Sequence, residues 1–251
     1  MTKVAFITGA SSGIGKATAR LFAKNKINIV ICGRRLNKLN ELKDELKKLA
    51  KVYVLNFDVR SQTEVQRAIA SLPEEFKHID ILINNAGNAH GLQPIQQGSI
   101  EDWDAMIDGN IKGLLYVSRA IIPQMTQRNQ GFIVNIGSIA AKEVYLNGNV
   151  YCATKFAVNA LNKGMRIDLN KYKIRVCAIH PGLVETEFSD VRFKGNTAKA
   201  KAVYQGYKAL QAKDIADIIY FVVTRPYYVN IEDLVVYPLA QASPTILNKD
   251  S

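Results

Sequence analysis

A glycine-rich turn between a predicted strand and a predicted helix is the feature that most constrains how this chain can fold. An apolar, β-prone run over Lys3–Thr8 enters Gly9-Ala10-Ser11-Ser12-Gly13-Ile14-Gly15, and helical periodicity begins at Lys16. Glycines let the backbone approach a pyrophosphate, and the start of the next helix offers free N–H groups. The same glycines could also serve only to make a tight turn, so the motif predicts a nucleotide site or a turn within an α/β fold.

Strand-like and helix-like runs alternate along the chain. We therefore expect a single-domain Rossmann fold over residues 1–251, an α/β architecture with a doubly wound parallel seven-stranded sheet and helices on both faces. The strand-like runs are Val4–Thr8, Asn28–Cys32, Val52–Phe57, Ile81–Asn84, Phe132–Ile136, Arg175–His180 and Leu234–Tyr237. The helical runs lie near Lys16–Lys24, Leu36–Leu49, Glu64–Ser71, Glu101–Arg128, Val150–Lys171 and Asp214–Val223.

Residues 185–213 are less regular than the rest of the chain. They include many charged and small residues, and they follow the sixth predicted strand. Ligands of doubly wound folds bind outside the carboxyl ends of the strands. We therefore expect this segment to form a mobile lid over the substrate.

Composition argues against a membrane protein and a metalloprotein. No apolar run approaches the ~20 residues of a membrane span, and a strand begins too early to leave room for a signal peptide. The three cysteines, Cys32, Cys152 and Cys177, are far apart and form no Cys-x-x-Cys pair. Three histidines lack metal-ligand spacing as well. We expect a cytoplasmic protein with reduced thiols and no metal.

The formal net charge of +11 allows two interpretations. A basic protein can bind nucleic acid, or it can attract an anionic cofactor and substrate. The basic residues are dispersed among acidic ones, as over positions 38–51, and no aromatic residues are interleaved with them. The pattern favours small-molecule ligands over nucleic acid.

The end of the second predicted strand indicates which dinucleotide would bind. An acidic residue at this position would accept hydrogen bonds from a ribose 2′-hydroxyl and favour NAD. This chain has Gly33-Arg34-Arg35 instead. Two guanidiniums can bind a 2′-phosphate, which predicts NADP, with Arg34 the favoured residue. The alternative is that both arginines open the next helix in solvent.

Tyr151 and Lys155 lie four positions apart in a predicted helix. Residues at this spacing share one helix face. A neighbouring ammonium should lower the pKa of the phenol from its usual value of about 10. Such a phenol can give a proton to a carbonyl oxygen or take one from an alcohol. Taken alone, the pair has the spacing of two ordinary surface residues.

In combination, these features resemble the short-chain dehydrogenase/reductase family. The matching residues occur in the family's order over most of the chain: Thr8–Gly15, Asn84-Asn85-Ala86-Gly87, Asn110, Ser138, Tyr151, Lys155 and Pro181-Gly182. The stretch from Pro181 to Ser189, followed by Val191–Gly195, resembles the NADP-dependent 3-hydroxy acid (serine-type) dehydrogenase branch. The resemblance implies a homotetramer, or a homodimer.

The resemblance also implies roles for individual residues. Ser138 would hydrogen-bond the substrate oxygen, and Asn110, at a kink eased by Gly109, would hold a water connected to Lys155. Asp58 would contact adenine, and the alternative is that it is a turn or N-cap residue preceding Ser61. The implied catalytic residues are Asn110, Ser138, Tyr151 and Lys155. The implied cofactor residues are Gly9, Ser11, Ser12, Gly13, Ile14, Gly15, Arg34, Arg35, Asp58, Val59, Asn85, Ala86, Gly87, Tyr151, Lys155, Pro181, Gly182, Val184 and Thr186.

The function expected from the sequence is hydride transfer between NADP and a small 3-hydroxy acid, similar to serine or 3-hydroxybutyrate. Arg192, in the predicted lid, could grip the carboxylate of such a substrate or be only a surface charge. Two alternatives remain open: an NADPH-dependent reductase of a larger ketone or 3-oxoacyl substrate, and a non-catalytic NADP(H)-binding protein.

Overall fold

Apolar residues cover both faces of the central strands, as a parallel sheet between two helical layers requires. In the computed structural model, which describes residues 2–249, the main sheet has seven parallel strands in the order β3-β2-β1-β4-β5-β6-β9. They are β1 Val4–Ile7, β2 Asn28–Gly33, β3 Val52–Asn56, β4 Ile81–Asn84, β5 Gly131–Ile136, β6 Ile174–Pro181 and β9 Asp233–Val236. All seven predicted strands are confirmed, and each bound differs by at most one residue.

Helices pack on both faces of this sheet, which confirms the predicted doubly wound Rossmann fold. One apolar cluster joins the sheet to Phe22 of α1 and Ile219 of α10, and a second joins it to Val65 of α3 and Ile121 of α6. The helices are α1 Gly13–Lys24, α2 Leu36–Leu46, α3 Gln62–Ala70, α4 Glu74–Lys77, α5 Ile100–Ile107, α6 Gly113–Arg128, α7 Asn149–Leu169, α8 Phe188–Arg192, α9 Thr197–Ala202 and α10 Ala212–Val223.

The strand order reverses between β1 and β4. The chain builds β2 and β3 on one side of β1, then continues with β4 on its other side. In doubly wound folds the crevice beside this reversal, at the carboxyl ends of the strands, is where ligands bind. The fold therefore predicts a ligand site at the turns that follow β1, β4 and β5.

The predicted helix Glu101–Arg128 is interrupted, as expected for a kink at Asn110. A π-helical turn over Asp108–Lys112 separates α5 from α6. Gly109 and Asn110 are weak helix formers, and both are buried in this turn. Such turns often occur at functional sites, and this one directs the Asn110 side chain into the protein.

Residues 185–213 contain more regular structure than the sequence predicted. The strand β7, Val184–Glu185, pairs with β8, Leu210–Gln211, and α8 and α9 lie between them. The two short strands close the segment at its base, so it leaves and rejoins the body of the protein at one place. Within residues 2–249, no helix is both long and apolar enough to span a membrane.

Candidate active site

A cavity of about 670 Å³ opens at the carboxyl ends of the strands. This volume falls in the usual range for a small-molecule or cofactor site. The glycine turn lines one end and Tyr151 lines the other. Among the predicted site residues, only Gly15 and Asn110 stand behind the cavity wall instead of lining it. The structure thus brings together residues that are far apart in the sequence.

The glycine turn after β1 is built for close backbone approach. Gly9 and Gly13 have φ angles of +66° and +53°, which favour glycine, and a Cβ on Gly15 would lie 2.6 Å from the Gly9 carbonyl oxygen. Asn85 braces the turn, because its Nδ2 donates to Thr8 O at 2.9 Å and to Gly9 O at 3.2 Å. Helix α1 starts at Gly13 with no acidic residue in its first turn, which suits a bound pyrophosphate.

Arg35 extends over the glycine turn. Its Nη2 donates to Ser11 Oγ at 2.9 Å and to Ser12 Oγ at 2.7 Å. Arg34 is more exposed, and its guanidinium lies 3.9 Å from the Asp58 carboxylate. Both arginines line the cavity, so a cationic wall stands where a 2′-phosphate was predicted.

Glu187 in the lid segment pairs with this cationic wall, a contact that sequence reasoning missed. Its carboxylate accepts from Arg35 Nη1 at 2.6 Å and from Lys38 Nζ at 2.8 Å. Burial opposes ionisation, yet the hydrogen bonds from Lys38 and Arg35 lower the pKa of Glu187 to about 2. The lid is thereby tied to the residues that follow β2.

Asp58 sits in a turn after β3. Its carboxylate accepts from the Arg60 backbone N–H at 3.0 Å and from Arg60 Nη2 at 2.6 Å. The N-cap of α3 is Ser61, whose side chain accepts from Glu64 N, so the N-cap alternative for Asp58 is wrong. Asp58 holds its turn and also lines the cavity with Val59.

Tyr151 and Lys155 occupy the inner face of α7, and both are buried. The ammonium of Lys155 lies 5.9 Å from the centre of the Tyr151 ring and donates to Ile136 O at 3.0 Å. Burial lowers the pKa of Lys155 to about 8. The sequence therefore placed the pair correctly on one helix face.

The expected lowering of the Tyr151 pKa is not observed. Burial raises the pKa of Tyr151 above its ordinary value, and the nearby Tyr145 adds to this rise. A hydrogen bond with Ser138 and the charge of Arg192 oppose it. Burial is therefore the dominant influence on the phenol.

Ser138 begins a short turn at the carboxyl end of β5. Its hydroxyl accepts from Ala140 N–H at 3.1 Å, which fixes the side chain beside Tyr151. The buried His180 ring lies behind it, with Nδ1 3.1 Å from the Ser138 carbonyl oxygen. This arrangement orients the Ser138 hydroxyl into the cavity next to the phenol.

Asn110 supports the cavity from the π-helical turn. Its Oδ1 accepts from Asn88 N–H at 2.8 Å, and its Nδ2 donates to Asn88 O at 2.9 Å and to Thr154 Oγ1 at 3.0 Å. A Cβ on Gly87 would lie 2.9 Å from Asn110 Oδ1 and 3.7 Å from Lys155 Nζ. Asn110 and Lys155 therefore approach the same small space beside Gly87.

Arg192, at the end of α8, reaches Tyr151 from the lid side. Its guanidinium carbon lies 5.5 Å from the centre of the Tyr151 ring, and its Nη2 donates to Tyr145 Oη at 2.6 Å. Its Nε is buried and has no hydrogen-bond partner among residues 2–249. A positive charge therefore lies close to the Tyr151 ring.

Three side chains that make the contacts described here, Tyr145, Glu187 and Gln241, were not predicted from the sequence. Tyr145 contacts Arg192, and Glu187 contacts Arg35. Gln241 reaches the cavity from the C-terminal segment. Tyr145 and Glu187 lie close in sequence to predicted site residues, which is a weak signal. Nothing in the sequence around Gln241 indicates its position.

Known proteins match nearly the whole chain. Residues 3–197 match the family described as short chain dehydrogenase. An NADP-dependent 3-hydroxy acid dehydrogenase of Escherichia coli is 45% identical over 240 residues, which are 95% of this chain and 96% of that protein. Sulfoacetaldehyde reductase 2 of Chromohalobacter salexigens is 41% identical over 243 residues, 96% of each chain. The closed form of serine dehydrogenase complexed with NADP+ is 43% identical, with a TM-score of 0.93, 97% of this chain covered and 98% of that one.

Proposed function

This chain belongs to the short-chain dehydrogenase family, and we propose that it is an NADP-dependent oxidoreductase of small 3-hydroxy acids. One observation carries the proposal: a single cavity joins the glycine turn and its arginines to Tyr151, Ser138 and the guanidinium of Arg192. The turn suits a dinucleotide, the phenol suits proton transfer, and the guanidinium suits an acid. The relatives named for 3-hydroxy acids and serine agree with this combination.

NADP fits the residues of the cavity around the glycine turn. A Cβ on Gly9 or Gly15 would clash with Asn85, so the glycines keep this turn tight, and the start of α1 offers free N–H groups to a pyrophosphate. Arg34 and Arg35 supply the charge for a 2′-phosphate, and Ser11 and Ser12 supply hydroxyl groups beside it. NADP would accept or donate the hydride, and the protein would supply binding, orientation and proton transfer.

Tyr151 is the general acid/base of this proposal. In oxidation it takes the hydroxyl proton of the substrate, and in reduction it returns a proton to the carbonyl oxygen. Ser138 donates to the same substrate oxygen, where negative charge develops, so it stabilises the transition state more than the ground state. Lys155 supplies positive charge beneath the ring, and Asn110 holds the neighbouring turn in place.

Arg192 and Tyr145 would receive the carboxylate of the substrate. A guanidinium can bind a carboxylate through two parallel hydrogen bonds, and Arg192 and Tyr145 both line the cavity. Because Arg192 lies over the Tyr151 ring, an acid bound there would keep its hydroxyl-bearing carbon near the phenol. A sulfonate is an anion of similar charge, so reduction of a sulfonated aldehyde is the second candidate.

Residues 185–213 are proposed to act as a lid within one NADP-binding domain spanning 1–251. The segment is closed at its base by the β7–β8 pair and carries Glu187 and Arg192 on its inner side. Glu187 contacts the cofactor end of the cavity and Arg192 the substrate end. Through the lid, binding of the cofactor at one end of the cavity would therefore affect binding of the substrate at the other.

The purified protein tests the proposal directly. We expect NADPH absorbance to rise when NADP is added with L-serine or 3-hydroxybutyrate, and to rise much less with NAD. Sulfoacetaldehyde with NADPH tests the second candidate. A protein that binds NADP but turns over none of these compounds, nor a larger 3-oxoacyl ketone, would fit a non-catalytic NADP(H)-binding protein instead.

Replacing either Arg34 or Arg35 should weaken the binding of NADP more than the binding of NAD. A charge-assisted hydrogen bond is worth roughly 1.5–3 kcal/mol, so Arg34→Ala and Arg35→Ala should each lower the NADP/NAD preference by about tenfold or more. Arg34→Asp should lower it further, because a carboxylate repels the 2′-phosphate. The preference is measured as the ratio of kcat/KM values for the two cofactors. A wild-type protein that binds NAD more tightly than NADP would contradict this assignment.

Lys155→Ala should move the pH dependence of oxidation. The ammonium favours the phenolate form of Tyr151, and oxidation needs that form as the base. Without the cation the pKa of Tyr151 rises, so the oxidation rate should reach its plateau at a higher pH than in the wild type. A kcat–pH profile measures the shift, and an unmoved profile with lower rates would leave Lys155 a cofactor-binding residue only.

A homotetramer, or a homodimer, is proposed from the apolar residues that α6 and α7 leave exposed. Leu115 on α6, with Phe156 and Ile167 on α7, have 38%, 42% and 69% of their surface exposed. Association of identical chains through these helices would cover them. Light scattering after size exclusion measures the mass of the assembly, and Phe156→Lys should reduce that mass.

A cytoplasmic location is also proposed, because Cys32, Cys152 and Cys177 are free and buried.

A further inference from the structure

The loop after β6 is held by three hydrogen bonds from other segments. Gly182 N–H donates to Val236 O at 2.7 Å, and Leu183 O accepts from Leu210 N–H at 3.1 Å. Leu183 N–H donates to Oε1 of Gln241 at 2.9 Å. The first two bonds join backbone groups, so their donors and acceptors do not depend on side-chain identity. The third depends on one side chain.

Gln241 reaches this loop from a distant part of the chain, 58 residues beyond Leu183. Gln241 is only 4% exposed, and it lines the same cavity as Tyr151. Gly182 makes room for it, because a Cβ on Gly182 would lie 2.4 Å from Gln241 Oε1. The contact therefore needs both the glycine in the loop and the glutamine in the C-terminal segment.

The backbone around Gln241 fixes the direction of its side chain. Gln241 N–H donates to Pro238 O at 2.9 Å, Ala242 N–H donates to Ile246 O at 3.0 Å, and Asn248 N–H donates to Ala240 O at 2.8 Å. These bonds fold the segment back on itself. The acceptor for Leu183 is thus presented from an ordered turn.

We propose that Gln241 is a positioning residue that sets the loop Pro181–Val184 for the nicotinamide end of the cofactor. The inference rests on the proposed function: the loop lines the cavity together with Tyr151, and hydride transfer beside Tyr151 requires the nicotinamide at that end. A buried N–H without an acceptor is unfavourable, so loss of the Gln241 oxygen would release Leu183 to find another partner. The loop would then shift under the nicotinamide, while the glycine turn and the arginines would be untouched.

The test compares two ligands that share the phosphate-bearing end. NADP carries the nicotinamide, and 2′,5′-ADP carries only the adenosine with its 2′- and 5′-phosphates. For Gln241→Met, calorimetry should show NADP binding weakened by about tenfold, the scale of one lost hydrogen bond. The same variant should bind 2′,5′-ADP within about twofold of the wild type. Its kcat should fall together with its NADP affinity, because a displaced nicotinamide is badly oriented for hydride transfer.

Three further variants complete the experiment. Gln241→Glu keeps an oxygen at the same reach, so it should bind NADP more tightly than Gln241→Met does. Gln241→Asn shortens the side chain, so it should also lose NADP affinity while keeping affinity for 2′,5′-ADP. It takes the place of Gln241→Met if that variant does not fold. Gln96→Met makes the same exchange at an exposed position and should leave both ligands unaffected.

The outcomes separate this inference from the function it rests on. Equal weakening of NADP and 2′,5′-ADP would overturn the inference, because the C-terminal segment would then support the whole cavity. Unchanged NADP binding in both Gln241→Met and Gln241→Asn would overturn it as well. Failure of the wild type to bind 2′,5′-ADP would instead overturn the NADP assignment itself, and with it any role for Gln241 in cofactor binding.

Discussion

Tyr151→Phe should lower kcat for oxidation of a hydroxy acid by about 10²–10⁴-fold, the usual loss for a positioned proton-transfer group. The substitution removes one hydroxyl and keeps the ring, which packs 5.8 Å from Phe188 between centroids. The cavity should therefore keep its shape. NADP affinity, measured by calorimetry or by NADPH fluorescence, should stay within about twofold of the wild type.

Tyr145→Phe is the matched control for this experiment. It removes a hydroxyl from a second, half-buried tyrosine of the same wall, one that contacts Arg192 through its Oη. We expect Tyr145→Phe to raise KM for an acidic substrate and to leave kcat near the wild-type value. Near wild-type kcat in Tyr151→Phe, or equal losses of kcat in both variants, would contradict the assignment of Tyr151 as the acid/base.

Local sequence patterns predicted the parts of the site that local structure builds. The i,i+4 spacing of Tyr151 and Lys155 fixes a shared helix face, and both residues lie on the buried side of α7. The glycine turn was equally readable, because strand, glycines and helix are contiguous there. Parallel strands then bring their carboxyl ends to one edge, which explains why separate motifs meet in one cavity.

Long-range contacts were not readable from one sequence. Glu187 pairs with Arg35 across 152 positions, and Gln241 contacts Leu183 across 58. Such pairings depend on how the lid and the C-terminal segment fold back, which no local periodicity encodes. The short helices α8 and α9 were missed for a related reason, since helices of 5 and 6 residues carry too little periodicity to distinguish them from a loop.

The pKa of Tyr151 shows why the spacing of charged residues in the sequence is not enough to predict a pKa shift. Proximity to Lys155 in the sequence suggested a lowered value, but burial of the phenol raises the pKa of Tyr151. Burial also weakens the cation, since the pKa of Lys155 falls to about 8. An oxidised nicotinamide carries positive charge, so cofactor binding would favour the phenolate.

Arg192→Met should reduce kcat/KM for an acid far more than for a neutral alcohol. A hydrogen bond to a charged group is worth roughly 1.5–3 kcal/mol, which corresponds to a loss of about 10- to 150-fold on 3-hydroxybutyrate. On 1,3-butanediol, which has the same carbon skeleton without the charge, the loss should stay within about threefold. Methionine retains much of the packing volume over the Tyr151 ring, so the difference between the substrates reports on charge recognition.

Two further variants decide what Arg192 recognises. Arg192→Lys keeps the charge without the planar fork, so it should recover only part of the acid preference. Tyr145→Phe separates a direct role of Arg192 from its hold on the neighbouring tyrosine, because it removes that hydrogen bond and leaves the guanidinium in place. Equal losses on the acid and the diol in Arg192→Met would make Arg192 a structural support of the lid. The specificity for acids would then have to come from another cation of the cavity wall. Assays of Arg192→Met with sulfoacetaldehyde would show whether recognition of a sulfonate also does not depend on Arg192.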